Sequence, residues 1–333
     1  MEIEKDPIYQ GNNNLEHSET DMTDSLKVHD PVIKGNNAEI DIDLWNSWDE
    51  SSCKLSYKLS LEAVDQNKIN MSLAPTASTN GCAYNSVRLL MDTDPNDQIY
   101  GLGEQYTWFG LKGQSYPILV SEQGVGRGLE PVTTTLNTFK GGAGGSEVTT
   151  YQPKPLYATT SHTGFILNNS RVQIFDLTDN SLVNVLLHDT KFDSVLYNAD
   201  TPLDLVAQMT TFTGRNPPVP EWARKGAIVG VEGGSDSVTK SVNKLLDAGV
   251  PIAGVWMQDW SGNHDYTEGT RVEWNWVLNR ELYPEWDSMV ADWKSKNIKP
   301  LIYINPYLQD MRTIKANVTR NLFEEAAEKG FLV

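Results

Sequence analysis

The chain has 333 residues, of which 39% are hydrophobic and 21% charged, an ordinary globular composition with room for two domains and a sizeable core. A formal net charge of −17 argues against nucleic acid or an anionic membrane surface as a partner. No apolar run is long enough to span a bilayer, and residues 1–20 are too polar and acidic for a signal peptide, which leaves the compartment open.

Residues 1–30 are polar and without clear period, a lead-in or an edge strand. From about Ala38 apolar and polar residues alternate, through Glu39–Leu44, Lys54–Leu59 and Lys68–Leu73, and again through Val87–Met91, Gly164–Leu167, Arg171–Leu177 and Leu182–Leu187. Period two with short polar breaks predicts antiparallel strands with one buried face, and no helix is expected before about residue 200. Residues 31–205 therefore read as a β-sandwich. Two glycine-rich insertions interrupt it, Ile99–Arg127 and Gly141–Gly145, and neither has the spacing of a nucleotide loop. Cys53 and Cys82 form one disulfide or remain two buried thiols, and nothing predicts a metal or cofactor site. Asn70, Asn168 and Asn317 each open an Asn-x-Ser/Thr triplet, a pattern this composition also produces by chance.

Thr201–Thr213 is predicted helical, with Leu203, Val206, Ala207 and Met209 on its apolar side. Residues 206–221 hold the end of that helix and a stiff Pro-rich linker, Arg215–Pro220. After it the period changes. Short buried strands at 227–231, 252–257 and 299–304 alternate with helices starting near Ser235 or Asp236, near Trp286, and near Arg320. Gly249 should end the first of these helices, and Phe331 should open a further strand. Strand–helix alternation over 222–333 predicts the first three units of a (β/α)8 barrel. A full barrel takes roughly 250 residues, so the sequence is expected to be the front part of a longer protein.

The chemistry concentrates in Gly254–Trp276. The strand through Val255 turns polar at its carboxyl end, presenting Gln258, Asp259 and Trp260, where parallel barrels place their functional groups. A loop rich in Gly, Asn, Asp and Thr follows, then Arg271, Trp274 and Trp276. Guanidinium and indole N–H donate and cannot accept, so the pair suits an anion or another acceptor-rich ligand; a surface arginine stacked on a core tryptophan is the equal alternative. Asp259 reads as a base, a hydroxyl-binding group or a structural carboxylate, and Trp260 as a pocket wall or a core residue. His264 reads as a solvated loop histidine. Ten tryptophans and thirteen tyrosines suit a sugar site, and serve cores equally well.

Several segments carry a family resemblance: Ile99–Gln105, Ser121–Arg127, Gln258–Gly262, Arg271–Trp276 and Tyr303–Tyr307. With a sandwich, a Pro-rich linker and a second barrel strand ending in W-x-x-D, the chain resembles glycoside hydrolase family 31, and within it the sulfoquinovosidase branch. The resemblance implies a galactose mutarotase-like sandwich before the barrel and a retaining α-glycosidase acting on α-sulfoquinovosides without cofactor or metal. Arg271 and the Trp274 indole would bind the sulfonate of a small-molecule glycoside, with Gln258 and Glu232 on the sugar 4-hydroxyl. Met257 stands where α-glucosidases of the family carry an aspartate, and Glu232 where the branch usually has Gln or Lys. The family's nucleophile and acid/base aspartates align with no residue here and are expected on strands beyond Val333. An α-glucosidase-type hydrolase of neutral sugars and a non-catalytic carbohydrate-binding or pseudoenzyme fragment are the alternatives.

Overall fold

The computed structural model describes residues 9–10, 14–15, 25–45, 54–79, 84–121, 124, 128–139, 144–266, 269–315 and 317–332. The chain divides into two compact units, Met1–Arg215 and Asn216–Val333. Cys53, Cys82 and most of the Ser121–Arg127 and Gly141–Gly145 loops lie outside the described residues.

The first unit is antiparallel throughout. Its large sheet runs Ser25–Val28, Asn37–Trp45, Lys54–Asp65, Lys68–Ser78, Phe192–Asn198, Thr163–Leu167, Pro153–Thr159, Ile99–Gly103, with Val32–Lys34 also paired to Asn37–Trp45. A second sheet runs Ser115–Ile118, Gln173–Asp176, Leu182–Leu187, Val87–Asp92. A separate two-residue pairing joins Tyr9–Gln10 to Asn14–Leu15. Alternation along these strands places one set of side chains in a shared apolar core: Ile99, Leu102, Phe165 and Leu167 from the large sheet, Tyr116, Phe175, Val183 and Val185 from the small one. Gly103 (φ +84°) lets the neighbouring strand approach, since a Cβ there would lie 1.9 Å from the Gln152 carbonyl oxygen.

Two sequence expectations change here. A helix, Val132–Phe139, precedes residue 200. It is rich in threonine, a poor helix former, and is held locally instead: Thr134 N–H donates to the Glu130 carboxylate (3.3 Å), and Thr138 Oγ1 donates to the Thr134 carbonyl (2.8 Å). The helix Pro202–Thr213 is capped by Thr201 and buries Met209 as expected, but together with Leu205, while Leu203 and Val206 stay exposed. The i, i+4 pair Leu205/Met209 packs over Gly164, which has no side chain to keep it away.

In the second unit three parallel strands, Ala227–Gly230, Ile252–Met257 and Lys299–Ile302, form one sheet with the middle strand central. Helices Gly234–Asp247 and Trp286–Ser295 cover one face, where Val255 and Met257 meet Val238, Val242, Met289 and Trp293. On the other face Ile228 and Trp256 are exposed. Three helix ends share one device. Gly249, Asn297 and Gly330 take positive φ, and the next amide returns to the carbonyl five residues back: Val250 to Leu245, Ile298 to Trp293, Phe331 to Ala326. Phe331, whose amide makes the last of these bonds, and Leu332 belong to no described strand, where the sequence predicted one. The first of these helices begins differently from expectation. Gly233, not Ser235 or Asp236, is its N-cap, because the Gly233 amide donates to a carboxylate elsewhere in the unit. No described helix is long and apolar enough to cross a membrane.

Candidate active site

The polar residues gather where the parallel strands end. Glu232 follows the first strand and is exposed; Gln258 follows the second and is half-buried. Asp259 begins a single 3-10 turn, Asp259–Ser261, and is completely buried. Its Oδ2 accepts the Gly233 amide at 2.8 Å, and its Oδ1 accepts the Tyr283 hydroxyl. Burial, reinforced by that bond, raises the Tyr283 phenol so that it stays a neutral donor. Asp259 therefore fixes the loop carrying Glu232 to the chain that returns at Tyr283. The Glu232 carboxyl is shifted up from its ordinary value by burial first and by the Asp259 charge second.

Asp259 and Trp260 are both buried at this strand end. The Trp260 ring lies in the apolar core against Trp286, and its indole N–H donates to the Tyr303 carbonyl at 2.7 Å. Tyr303 in turn meets Trp256 and Trp276 edge-on, with ring centroids 6.5 and 5.7 Å away.

The loop read from composition as irregular contains a hairpin, Asn263–Tyr266 paired with Gly269–Val272, in which Arg271 stands opposite His264. The Arg271 side chain is exposed, and both it and His264 make contacts of their own. Trp274 is 39% exposed and stacks on Tyr307 at 5.5 Å and 30°. Trp276 donates its indole N–H to the Tyr307 carbonyl at 3.0 Å. The structure thus joins Glu232 to Asp259 through Gly233, and Trp274 and Trp276 to Tyr307. Elsewhere, the Tyr106 hydroxyl donates to the Glu104 carboxylate at 2.6 Å.

Sequence reading missed the residues that support this surface. Tyr283 looked like one aromatic among many. Glu273 (3% exposed) and Asn275 (8%) sat inside a recognised segment without a role. No local pattern marks them, because their partners lie far along the chain, at Lys315, Arg320 and Leu322. Among the described residues no three His, Cys, Asp or Glu side chains are placed to hold a metal ion.

An antiparallel sandwich followed by parallel β/α units, with carboxylates and tryptophans at the strand ends, defines the class of protein by fold and site. No family model matches the chain. The sulfoquinovosidase of Escherichia coli (strain K12) is 34% identical over 278 residues, covering 84% of this chain and 39% of that protein. The sulfoquinovosidase of Agrobacterium fabrum is 29% identical over 222 residues, covering 67% and 33%. A solved structure of a GH31 family sulfoquinovosidase from E. rectale, in complex with the aza-sugar inhibitor IFGSQ, superposes with a TM-score of 0.76 at 28% identity, over 92% of this chain and 42% of that one. The chain belongs to glycoside hydrolase family 31 and aligns within it with the sulfoquinovosidases. It spans only about two fifths or less of the length of these relatives.

Proposed function

We propose that this chain carries part of the substrate-recognition surface of a retaining α-glycosidase acting on α-sulfoquinovosides. The observation that carries the reading is the segment 271–274: an arginine and a tryptophan, both exposed, beside a buried glutamate that faces inward. A planar guanidinium makes paired, charge-assisted bonds to sulfonate oxygens, and the Trp274 indole adds one donor. Glu232 and Gln258 would meet the sugar hydroxyls from the ends of the first two strands. The names of the E. coli and A. fabrum relatives support the sulfosugar. The three parallel strands are read as the opening of a (β/α)8 barrel. No residue of the chain is assigned a catalytic role; the paired carboxylates that a retaining mechanism needs would come from further strands of the whole protein.

Glu232 favours a second reading, a neutral α-glucoside. Its carboxylate stands beside Asp259 and would oppose a second anion nearby. One ratio separates the two. In the intact protein, Arg271→Ala should lower kcat/KM on a sulfoquinovoside by about two orders of magnitude relative to the matching glucoside, as loss of a desolvated charge-assisted contact of a few kcal/mol implies. Arg271→Lys should recover only part of it, lacking the fork. Equal losses on both substrates would make Arg271 structural and hand the assignment to the neutral sugar.

A further inference from the structure

From Arg271 the chain runs exposed Arg271, half-buried Val272, buried Glu273, exposed Trp274, buried Asn275. The buried members are tied on two sides. Toward the turn after the central strand, the Glu273 amide donates to the Gly262 carbonyl at 2.9 Å, and the Ser261 hydroxyl donates to the Glu273 carbonyl at 2.7 Å. The Glu273 carboxylate lies so close to Gly262 (φ +110°) that a Cβ there would come within 2.6 Å of Oε2. Toward the chain after the third strand, the Lys315 ammonium stands 2.6 Å from Glu273 Oε1, off the direction of a hydrogen bond, which makes the contact Coulombic. Asn275 completes the stitching. Its Nδ2 donates to the Arg320 carbonyl and its Oδ1 accepts the Leu322 amide, both at 2.9 Å, and the Trp274 carbonyl accepts the Gln309 amide at 2.9 Å.

An isolated loop would leave two long side chains free to wander, and geometry is what a two-donor anion site needs. A buried carboxylate is retained at a cost, and the Lys315 ammonium reaches it from a side chain that is 36% exposed. We propose that Glu273, with Lys315 as its counter-ion and Asn275 as second anchor, is the positioning residue that sets Arg271 and Trp274 for a sulfonate. This rests on the sulfosugar reading above and goes beyond it, since neither Glu273, Asn275 nor Lys315 contacts the ligand in that reading.

The test is the ratio of affinities for free sulfoquinovose and free glucose, which have no glycosidic bond to hydrolyse, read by calorimetry on the intact protein. Glu273→Gln keeps the shape and removes the charge; Lys315→Met removes the partner from the exposed side, where folding is least at risk. Each should lower the ratio by about tenfold, a misplacement effect. Lys315→Arg should restore it. The double variant Glu273→Gln/Lys315→Met should fall no further than the worse single, as coupled groups do. Lys296→Met, which breaks only the exposed pair with Asp292, should leave the ratio alone. An unchanged ratio in both single variants overturns the positioning role, and so does an equal loss of both affinities, which marks a merely structural pair. Wild type binding the two ligands alike would instead remove the sulfosugar reading, and this proposal with it.

Discussion

The least exposed side chains of the two units differ in kind. Up to Arg215 they are chiefly apolar, with Ile99, Leu102, Phe165, Phe175 and Leu177 at 0%, and most buried polar residues are threonines and serines. From Asn216 onward Val238, Val242 and Met257 are equally buried, but so is Asp259, joined by Glu273, Asn275 and Asn321. The difference follows from architecture. Two facing sheets close over an apolar layer and need little else. A parallel sheet must send its chain out and back between strands. Those excursions carry backbone groups and side chains whose places only specific polar partners can fix. Apolar packing thus holds the sandwich together, and buried carboxylates and carboxamides set the shape of the strand-end surface.

Truncation offers the hardest test of that contrast. Phe165→Ala should cost about 3–5 kcal/mol of unfolding free energy by denaturant titration, the usual range for a buried aromatic; less than about 1 kcal/mol would mean the sandwich core is not what holds the first unit. A smaller effect is expected from removing one charge without changing shape. Asp259→Asn should cost roughly 1–3 kcal/mol, as a buried acceptor loses its match to the Tyr283 hydroxyl and the Gly233 amide. Tyr283→Phe should then add little on top of it, because both variants break the same contact. If Asp259→Asn leaves the midpoint in place, polar pinning of the second unit is refuted. The smallest effect lies with Glu232. Its raised carboxyl means that the folded protein binds a proton more readily than the unfolded chain. Stability from this group is therefore present at low pH and is lost as pH rises from the ordinary glutamate range through the raised value. Melting temperatures of wild type and Glu232→Gln should converge toward acid and separate slightly toward neutrality, with wild type the lower. Parallel curves would sink this prediction.

Much of this contrast can be read in the sequence, and the unread part has a common cause. Lys54–Leu59 and Lys68–Leu73 announce strands because a half-buried strand must alternate. Gly249 announces a helix end because the position needs positive φ. Both signals are local. Asp259 gives no local sign of being buried. A carboxylate at the end of a strand looks the same whether it faces a ligand or a tyrosine, and Tyr283 is 24 residues away. The ion pair of Glu273 with Lys315 is likewise invisible until the third strand brings the two together. Val132–Phe139 was hidden for the opposite reason: its threonines signal against a helix that local side-chain bonds then support. Leu205 was hidden because the face a helix buries depends on the glycine beneath it.

The stretch from Gln258 to Glu285 leaves the sheet and returns to nearly the same point. At its base the Asn279 amide donates to the Trp260 carbonyl at 3.0 Å, and Tyr283 closes on Asp259. The helix-to-strand connections, by contrast, are short and ended by Gly249 and Asn297. The closed base does not make the excursion self-contained, because its far end is tied to the chain after the third strand: Trp274 to Gln309, Glu273 to Lys315, and Asn275 to Arg320 and Leu322. Inheritance has to change specificity here in two stretches of chain at once, and a graft cut at Asp259 and Tyr283 would arrive without its supports.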